Sequence, residues 1–285
     1  MNRLHLQTNS EVAETTSRMI SVISGKGGVG KSVVTYNLAE RLADSGYRVL
    51  MVDADFTGGN LHILANVEAD NGIAHLFIDQ LSLREIVITL KERLDLVASP
   101  SMHANVDSAD FKRSVNLAAN LRKQAAQYDF ILIDHGSGVS RAATVMANAS
   151  DLSLLVVVPE LTSISDCYGL YKHLTETNTT LDCRLLVNRT ESEEEARYIF
   201  TKFAAMAERF LGRCPEYGGS LPEDKIFRQS VASQESLAVI DSQSVATQTI
   251  TRLADRLVEV LETANNSYQF TRQINKNPAM ADTRG

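Results

Sequence analysis

One short segment, "SVISGKGGVGKSVVTYNLAERL" at residues 21–42, constrains the fold more than any other part of the chain. An apolar run leads into a glycine-rich loop, and a stretch with helical spacing follows the loop. Gly25, Gly30, Lys31 and Ser32 match the spacing G-x-x-x-x-G-K-S/T of a phosphate-binding loop. Glycines let backbone N–H groups converge on phosphate oxygens, and the helix N-terminus adds its dipole. The segment therefore predicts a nucleoside-triphosphate site between a strand and a helix.

The loop contains two lysines, and only one has an obvious task in a single chain. Lys31 is predicted to neutralise the β- and γ-phosphates, and Ser32 to ligate Mg²⁺. Lys26 adds a second charge that is either solvated or directed at another partner. The residues expected to line the phosphates are Gly25, Gly27, Gly28, Val29, Gly30, Lys31, Ser32 and Val33.

Short apolar runs alternate with longer segments of helical spacing along the rest of the chain. The runs, rich in Val, Ile and Leu, are 19–24, 47–53, 94–99, 130–134, 152–158 and 183–188. Helices are predicted at 32–45, 109–127, 140–149, 162–177, 193–211 and 242–263, with Ser192 and Glu195 as a capping box. This alternation predicts an α/β fold with a doubly wound, mostly parallel β-sheet flanked by helices. We expect one domain at 19–263, with flexible segments at 1–18 and 264–285.

Composition argues against several classes of protein. The 285 residues carry a net charge of −7, which disfavours a surface that binds nucleic acid all over, although a local basic patch remains possible. The apolar runs fall short of the roughly 18 residues of a membrane span, and the N-terminus lacks an apolar signal core. The 3 cysteines have no metal-binding spacing. We therefore expect a cytoplasmic protein.

Two further strand ends carry aspartates. "VDADFTGGN" contains Asp53 and Asp55, and "YDFILIDHGSG" contains Asp134. The carboxyl ends of parallel strands are where doubly wound sheets bind ligands. Asp55 can orient water and help to hold Mg²⁺, and Asp134 can hold a Mg²⁺-bound water. Asp53 also fits a purely structural role at a strand end.

The loop with its added lysine, "KGGVGKS", resembles the deviant Walker A motif of the MinD/ParA ATPases, and the resemblance covers about residues 19–262. In that family the extra lysine reaches the partner subunit's nucleotide, and this role is carried here to Lys26. The resemblance places Asp55 near the γ-phosphate and the attacking water, with Asn60 assisting. "HGSG" after Asp134 resembles the family's second switch, D-T/S-x-x-G, with His135 in place of Thr or Ser.

Two later segments resemble the family's base-binding and dimer-face regions. Asn188 in "LLVNR" and the stretch "GGSLPEDKIFRQSV" resemble a strand-end asparagine and a G-x-I/L-P-x-D segment at the adenine base. This implies a base site formed by Asn188, Arg189, Pro222 and Asp224. "VVPELTSISDCYGL" resembles a stretch near the dimer face, although Ser163 and Asp166 fit a helix-capping box equally well.

Within the family the chain is similar to the flagellar-number regulators of the FlhG group, also called FleN or YlxH. The resemblance implies a Mg²⁺-dependent ATPase that is a homodimer in the ATP state. Its protein client would be a flagellar GTPase (FlhF-like) or a flagellar transcriptional activator. A peripheral location at the inner membrane or cell pole is also implied. The group's D-Q-A-x-x-L-R motif is missing from "HLQTNSEVAETTSR", and a C-terminal membrane helix is not evident, so membrane contact would involve residues 253–270.

Other functions remain open at this stage. The first alternative is a ParA-type partition ATPase that binds DNA nonspecifically, against which the acidic total charge counts. An iron–sulfur member of the family would need cysteines near the switches, whereas Cys167, Cys183 and Cys214 lie elsewhere. A small-molecule ligase would need a carboxylate or amine pocket, and none is identifiable. A module that binds ATP without hydrolysing it is the last alternative.

Overall fold

The computed structural model describes residues 17–56, 58–78, 81–100 and 111–276. The strands are β1 (Arg18–Ile23), β2 (Val49–Ala54), β3 (Val87–Lys91), β4 (Leu94–Val97), β5 (Phe130–His135), β6 (Leu152–Val157), β7 (Cys183–Thr190) and β8 (Glu216–Pro222). The helices are α1 (Lys31–Asp44), α2 (Leu61–Leu64), α3 (His75–Ile78), α4 (Leu83–Ile86), α5 (Phe111–Gln124), α6 (Arg141–Ala149), α7 (Leu161–Thr177), α8 (Glu193–Leu211), α9 (Lys225–Ser233), α10 (Leu237–Ile240) and α11 (Val245–Lys276).

The eight strands form one sheet in the order β3-β4-β2-β5-β1-β6-β7-β8. All neighbouring strands are parallel except β3 and β4, which form an antiparallel pair at one edge. The predicted doubly wound, mostly parallel fold is therefore confirmed. The order places β1 and the loop that follows it near the middle of the sheet.

The central strands read as continuous apolar runs because both of their faces are covered. Every residue of β2, β5 and β6 is buried. On one face Ile20 and Leu132 pack in a core with residues of α1 and α11. On the opposite face Ile133 packs with residues of α5, and Leu155 packs with residues of α7 and α8. Helices on both faces thus remove the polar alternation that a half-exposed strand would show.

The two edge strands, β3 and β8, were not predicted from the sequence. Residues of β3 are only partly buried, so its sequence lacks the apolar run that marks the inner strands. The β8 segment contains Gly218 and Gly219 at an irregularity in the register with β7, and glycines of this kind read as a loop. The four-residue helices α2, α3, α4 and α10 and the nine-residue helix α9 were also not predicted.

The chain ends of the fold differ from the predicted boundaries. Ser17 is buried and its Oγ donates a hydrogen bond to the Ala125 carbonyl, and β1 begins at Arg18, inside the segment predicted to be flexible. The last helix continues to Lys276, past the predicted end at 263. Residues 1–16 and 277–285 lie outside the described residues, so the domain limits stay a prediction. No helix in the described part of the chain is long and apolar enough to cross a bilayer.

Candidate nucleotide-binding site

The glycine-rich loop runs from the end of β1 to the start of α1. Gly28 and Gly30 have φ angles of +75° and +95°, which residues with a Cβ rarely adopt. Gly30 occupies the N-cap position, so α1 begins at Lys31 with its first N–H groups directed toward the loop. The predicted phosphate loop is therefore present in the strand–loop–helix setting that its chemistry requires.

Gly25 and Gly30 are needed because other parts of the chain approach them closely. A Cβ at Gly30 would lie 2.5 Å from the Asn188 Nδ2 atom. A Cβ at Gly25 would lie 2.2 Å from the carbonyl carbon of Asp166, which belongs to α7. The first glycine of the motif thus lets α7 pack against the phosphate loop, a reason that the motif alone does not reveal.

Lys31 lies among carboxylates at the carboxyl edge of the sheet. Its side chain is buried, and burial lowers its pKa, while the charges of Asp134 and Asp55 oppose that shift. The three predicted groups Lys31, Asp55 and Asp134 are therefore brought together. A cation held between two carboxylates at a helix N-terminus is suited to take up phosphate charge.

Asp134 is the penultimate residue of β5, and one of its carboxylate oxygens has no hydrogen-bond partner among the described residues. Burial raises its pKa to about 6, whereas a hydrogen bond from Ser32 and the charge of Lys31 lower it. The Oδ1 atom is buried and has no hydrogen-bond partner among the residues that the structure describes. Mg²⁺ at phosphate sites uses few protein ligands and keeps several waters. The Ser32 hydroxyl and the unpartnered Asp134 oxygen fit such an ion.

Asp53 takes the structural role that the sequence left open. Its Oδ1 accepts a hydrogen bond from the Asp55 N–H at 3.1 Å, and its Oδ2 accepts one from the Leu61 N–H at 3.0 Å. Burial first, then the nearby charge of Asp134, raises its pKa to about 7. A Cβ at Gly59 would lie 2.6 Å from Oδ2, so the loop is folded tightly around this carboxylate.

Asp55 and Asn60 lie in the loop that Asp53 holds. Asp55 Oδ1 accepts a hydrogen bond from the Gly58 N–H at 3.1 Å, and Asn60 Nδ2 donates to the Gly58 carbonyl at 2.7 Å. A Cβ at Gly136 would lie 3.3 Å from the Asp55 carboxylate, so the loops after β2 and β5 meet there. The site therefore assembles both predicted switch segments, while Asn60 is exposed and bonds within its own loop.

The Lys26 ammonium group is not purely solvated, because it forms hydrogen bonds with residues near the start of α7. Its Nζ donates to Glu160 Oε2 at 2.6 Å and to Thr162 Oγ1 at 3.0 Å, at the start of α7. Glu160 is the N-cap residue of α7, so the Ser163–Asp166 capping box is wrong. Ser163 is buried instead, and its Oγ accepts a hydrogen bond from the Val158 N–H. The predicted Ser192 cap of α8 is confirmed, since its Oγ accepts from the Glu195 N–H.

His135 replaces a hydroxyl residue of the family pattern and has its own hydrogen-bonded network. Its Nε2 lies 2.9 Å from Ser21 Oγ, which in turn lies 2.8 Å from Ser150 Oγ. Complete burial lowers the pKa of His135 to about 3, so the ring is neutral. The network joins β5 to β1 and to the end of α6, which accounts for a histidine at this position.

A pocket of about 390 Å³ lies beside the phosphate loop. Among the residues predicted for the base and the loop, it is lined by Gly30, Val33, Asn188, Arg189, Pro222 and Asp224. It is also lined by residues that the sequence analysis missed, namely Val34, Glu223, Phe227, Arg228 and Val231. Phe227 and Val231 have i, i+4 spacing in α9, a signal that could have identified this wall.

Asn188 and Asp224 each make backbone contacts that fix the pocket. Asn188 Nδ2 donates to the Val29 carbonyl at 2.7 Å, and its Oδ1 accepts from the Arg189 N–H at 2.9 Å. Asp224 caps α9 by accepting from the Ile226 N–H at 3.0 Å. Asn188 therefore ties the phosphate loop to β7, and it keeps one donor hydrogen and one lone pair for a ligand.

The chain is similar to known proteins over most of its length. A family model described as an AAA domain (AAA_31) matches residues 17–187, which include the phosphate loop, Asp55 and Asp134. The antiactivator FleN of Pseudomonas aeruginosa is 30% identical over 220 residues, 77% of this chain and 79% of FleN. The flagellum site-determining protein YlxH of Helicobacter pylori is 26% identical over 248 residues, 87% of this chain and 84% of YlxH.

Solved structures share the fold. The septum site-determining protein MinD of Pyrococcus horikoshii, solved in complex with Mg-ADP, superimposes with a TM-score of 0.72 at 24% sequence identity. The match covers 86% of this chain and 97% of that protein. The similarity in structure thus extends beyond the phosphate loop to most of the sheet and its helices.

Proposed function

The chain belongs to the MinD/ParA family of P-loop ATPases, and we propose that it is a nucleotide-controlled dimerisation switch that regulates flagellar number or placement. Its enzymatic activity is ATP hydrolysis. The observation that carries the proposal is the position of Lys26, an exposed lysine of the phosphate loop held beside the site without contributing to it. A group in this place can serve the nucleotide of a second subunit.

ATP and Mg²⁺ are the proposed ligands. Lys31 and the loop backbone hold the phosphates, and the pocket beside Asn188 and Phe227 receives the adenine. When bound, Mg²⁺ would neutralise charge on the phosphate oxygens, held by Ser32 and, through water, by Asp134. Asp55 orients the attacking water beside the γ-phosphate and accepts its hydrogen bond.

The surface around Lys26 suits a second copy of the chain. Leu161 is 87% exposed directly beside Glu160, and Val139 in the second switch is 55% exposed. Apolar side chains exposed beside a ligand site are characteristic of interaction surfaces. An exposed ion pair contributes only about 0–1 kcal/mol, so Lys26 can leave Glu160 at low cost. In the ATP dimer its new partner is the phosphate of the opposite subunit.

Hydrolysis resets the switch. Loss of the γ-phosphate removes the group that Lys26 and Asp55 share across the interface, and Lys26 returns to Glu160. Because the two states differ in their affinity for the twin subunit, the nucleotide shifts the population between monomer and dimer. Turnover is expected to be slow, because the rate of hydrolysis sets how long the dimer persists and can act on its partner.

The relatives suggest the client. FleN is named an antiactivator and YlxH a flagellum site-determining protein. We therefore assign to the dimer a flagellar transcriptional activator or a flagellar GTPase (FlhF-like) as partner. The protein acts in the cytoplasm, with peripheral association at the inner membrane or cell pole as an accompanying proposal.

The Lys26→Ala variant tests the switch. It should bind a fluorescent ATP analogue with nearly unchanged affinity, because Lys31 stays in place, but it should remain monomeric on gel filtration with ATP and Mg²⁺. Lys91→Ala is the matched control, since Lys91 also forms surface ion pairs, with Glu40 and Asp44, but lies on β3. ATP-dependent dimers of Lys26→Ala at the wild-type level would refute the role across the interface.

The client is tested separately by capture on the ATP-locked Asp55→Ala form, with Lys31→Ala as the form that cannot load nucleotide. Recovery of a flagellar activator or GTPase only on the locked form is the expected result. Recovery of a partition-complex protein, or ATP-dependent DNA binding that weakens steeply with salt, would replace flagellar regulation with DNA partition.

A further inference from the structure

A second cleft lies at the outer edge of the sheet, next to the base pocket but separate from it. We call it the edge cleft, and its volume is about 310 Å³. It is bounded by β8, by the start of α8 and by one side of α11. Asn188 and Arg189 face the base pocket, whereas Thr190 to Glu193 face the edge cleft. The proposed ATPase cycle gives this cleft no task.

One wall of the edge cleft carries positive charge without a matching carboxylate. Arg252 and Arg256 are one helical turn apart on α11, and both are exposed. Arg252 donates to Thr249 Oγ1 at 2.8 Å, and Arg256 lies 3.5 Å from the Gly218 carbonyl. Within the described ranges neither guanidinium forms an ion pair, so both keep donors for a carboxylate.

The carboxylate on the opposite wall is already compensated. Glu193 accepts hydrogen bonds from Tyr217 at 3.0 Å and from Ser220, and it pairs with Arg197 at 2.8 Å. Glu191 lies at the rim and contributes the other negative charge of the lining. With Glu193 paired to Arg197, the two arginines of α11 outnumber the one remaining carboxylate of the lining, so the balance of charge in the edge cleft is positive.

The floor of the cleft, formed by β8, is suited to bind the side chains of a partner and not to pair with an additional β-strand. The register of β8 shifts next to Gly218, and a bulge of this kind interrupts pairing along an edge. Gly219 has a φ of +129°, a backbone conformation that residues with a Cβ rarely adopt, and the Arg256 guanidinium lies in van der Waals range of this position. Val245, which is 61% exposed, adds apolar surface beside the two arginines, while Leu253 lines the cleft from a buried position. Arginine next to apolar and tyrosine side chains is typical of protein-binding pockets.

We propose that the edge cleft docks an acidic segment of a protein partner, with carboxylates on Arg252 and Arg256 and a neighbouring apolar side chain against Val245. The assignment rests on the proposed function in that it supplies the client with a site. A free anion such as phosphate would satisfy the arginines but would leave the apolar wall uncovered.

The wall between the two pockets couples their occupants. Thr190 Oγ1 donates to the Leu221 carbonyl, and the Glu223 N–H donates to the Thr190 carbonyl at 2.9 Å. Glu223 also lies 3.9 Å from Arg189, which lines the base pocket. A segment that moves this wall changes nucleotide affinity, and the nucleotide changes the affinity for the segment by the same factor.

Fluorescence anisotropy with a fluorescein-labelled peptide of alternating glutamate and leucine tests the site on the full chain. The Arg252→Glu/Arg256→Glu variant should bind it at least about tenfold more weakly than wild type, because two attractive contacts become repulsive. The matched control is Lys202→Glu/Arg209→Glu, which reverses two exposed charges of α8 outside the cleft and should bind as wild type does. Saturating peptide should also shift the affinity for a fluorescent ATP analogue by about fivefold or more in wild type, and not in the cleft variant.

Equal weakening in both charge-reversal variants, no measurable peptide binding to wild type, or release of the peptide by an equimolar amount of inorganic phosphate would overturn the assignment. ATP-dependent dimerisation is measured on the same proteins. The cleft variant should still dimerise, so that failure of the edge cleft and failure of the dimerisation switch give different results.

Discussion

The Asp53 carboxylate accepts N–H groups from Asp55 and Leu61, so a single side chain holds the loop after β2 against the sheet. It does so beside a second buried carboxylate, Asp134, to which it is paired in register. Two acids in one buried site disfavour the charged form of each. Asp53 therefore stabilises the loop through the two hydrogen bonds that it accepts, whereas burial of its negative charge beside Asp134 destabilises the folded state.

Asp53 makes the stability of the nucleotide-free protein depend on pH. Its folded pKa of about 7 lies above the ordinary value of 3.8, so the folded state binds the proton more tightly than the unfolded state does. The free energy of unfolding should thus fall as pH rises from about 4 to 7. Asp53→Asn should show a smaller fall, although it loses one of the two accepted hydrogen bonds. Urea unfolding at a series of pH values, with EDTA present, measures the free energy of unfolding of wild type and of Asp53→Asn.

The exposed Asp255→Asn variant of α11 serves as control for this experiment and should keep the wild-type slope. A free energy of unfolding for Asp53→Asn that falls with pH between 4 and 7 as steeply as that of wild type would show that the ionisation of Asp53 does not cause the pH dependence.

The two lysines of the loop show what sequence reasoning can reach at the scale of one residue. The task of Lys31 followed from a local motif, and the carboxylates found around it, Asp55 and Asp134, were predicted from strand ends. The partner of Lys26, Glu160, is 134 positions away in the chain and belongs to a helix N-terminus that the sequence assigned to Ser163. Contacts between distant exposed side chains leave no periodic signal.

At the scale of elements, the packing of α7 against the phosphate loop is decided by Gly25. The contact brings the start of α7, with Glu160 and Thr162, to the lysine that bonds them. The same logic of close approach applies at Gly30, which admits the Asn188 side chain from β7. The shape of the phosphate loop is therefore set by close packing of α7 at Gly25 and of β7 at Gly30.

Gly25→Ala should be strongly destabilising, by more than about 2 kcal/mol, because the added Cβ meets the backbone of Asp166 at 2.2 Å. Gly169→Ala is the matched change on α7 itself, where a Cβ meets nothing within 4 Å, and it should stabilise the protein by about 0.5–1 kcal/mol. Thermal unfolding of the nucleotide-free variants measures both effects. Equal midpoints for the two variants would show that α7 yields easily at this contact.

Elements with strong periodicity could be predicted, and those set by their neighbours could not. The six inner strands were found from apolar runs and six helices from helical spacing, within a few residues at most ends; these helices are α1, α5, α6, α7, α8 and α11. β8 was missed because its glycines follow from the approach of Leu185 to Gly218 and from the positive φ of Gly219, and not from strand propensity. The edge cleft is bounded by β8, so it could not be predicted from the sequence either.

For the whole molecule, coupling between nucleotide and assembly should appear in thermal unfolding. Under the proposed switch, ADP and ATP both stabilise the folded chain by binding to it, but only ATP adds the free energy of dimerisation. With the Asp55→Ala form and ATP, a hundredfold dilution of protein should lower the midpoint by about 2–5 °C, whereas with ADP it should not change.

The same dilution series with Lys26→Ala in the Asp55→Ala background separates dimerisation from nucleotide binding. This double variant should keep the stabilisation by ATP and lose its dependence on protein concentration. A concentration dependence with ADP as large as that with ATP would mean that assembly does not report the nucleotide.

The tight seating of α7 on the phosphate loop also bears on how fast two subunits can meet. In the proposed dimer, the phosphate loop and the start of α7 already have their packed arrangement before a second subunit arrives, and the Lys26 side chain has only to move from Glu160 toward the partner's phosphate. Such a rotation takes nanoseconds or less, far less than a collision between proteins requires. After ATP loading, encounter frequency and charge steering, rather than backbone rearrangement, therefore set the pace of pairing.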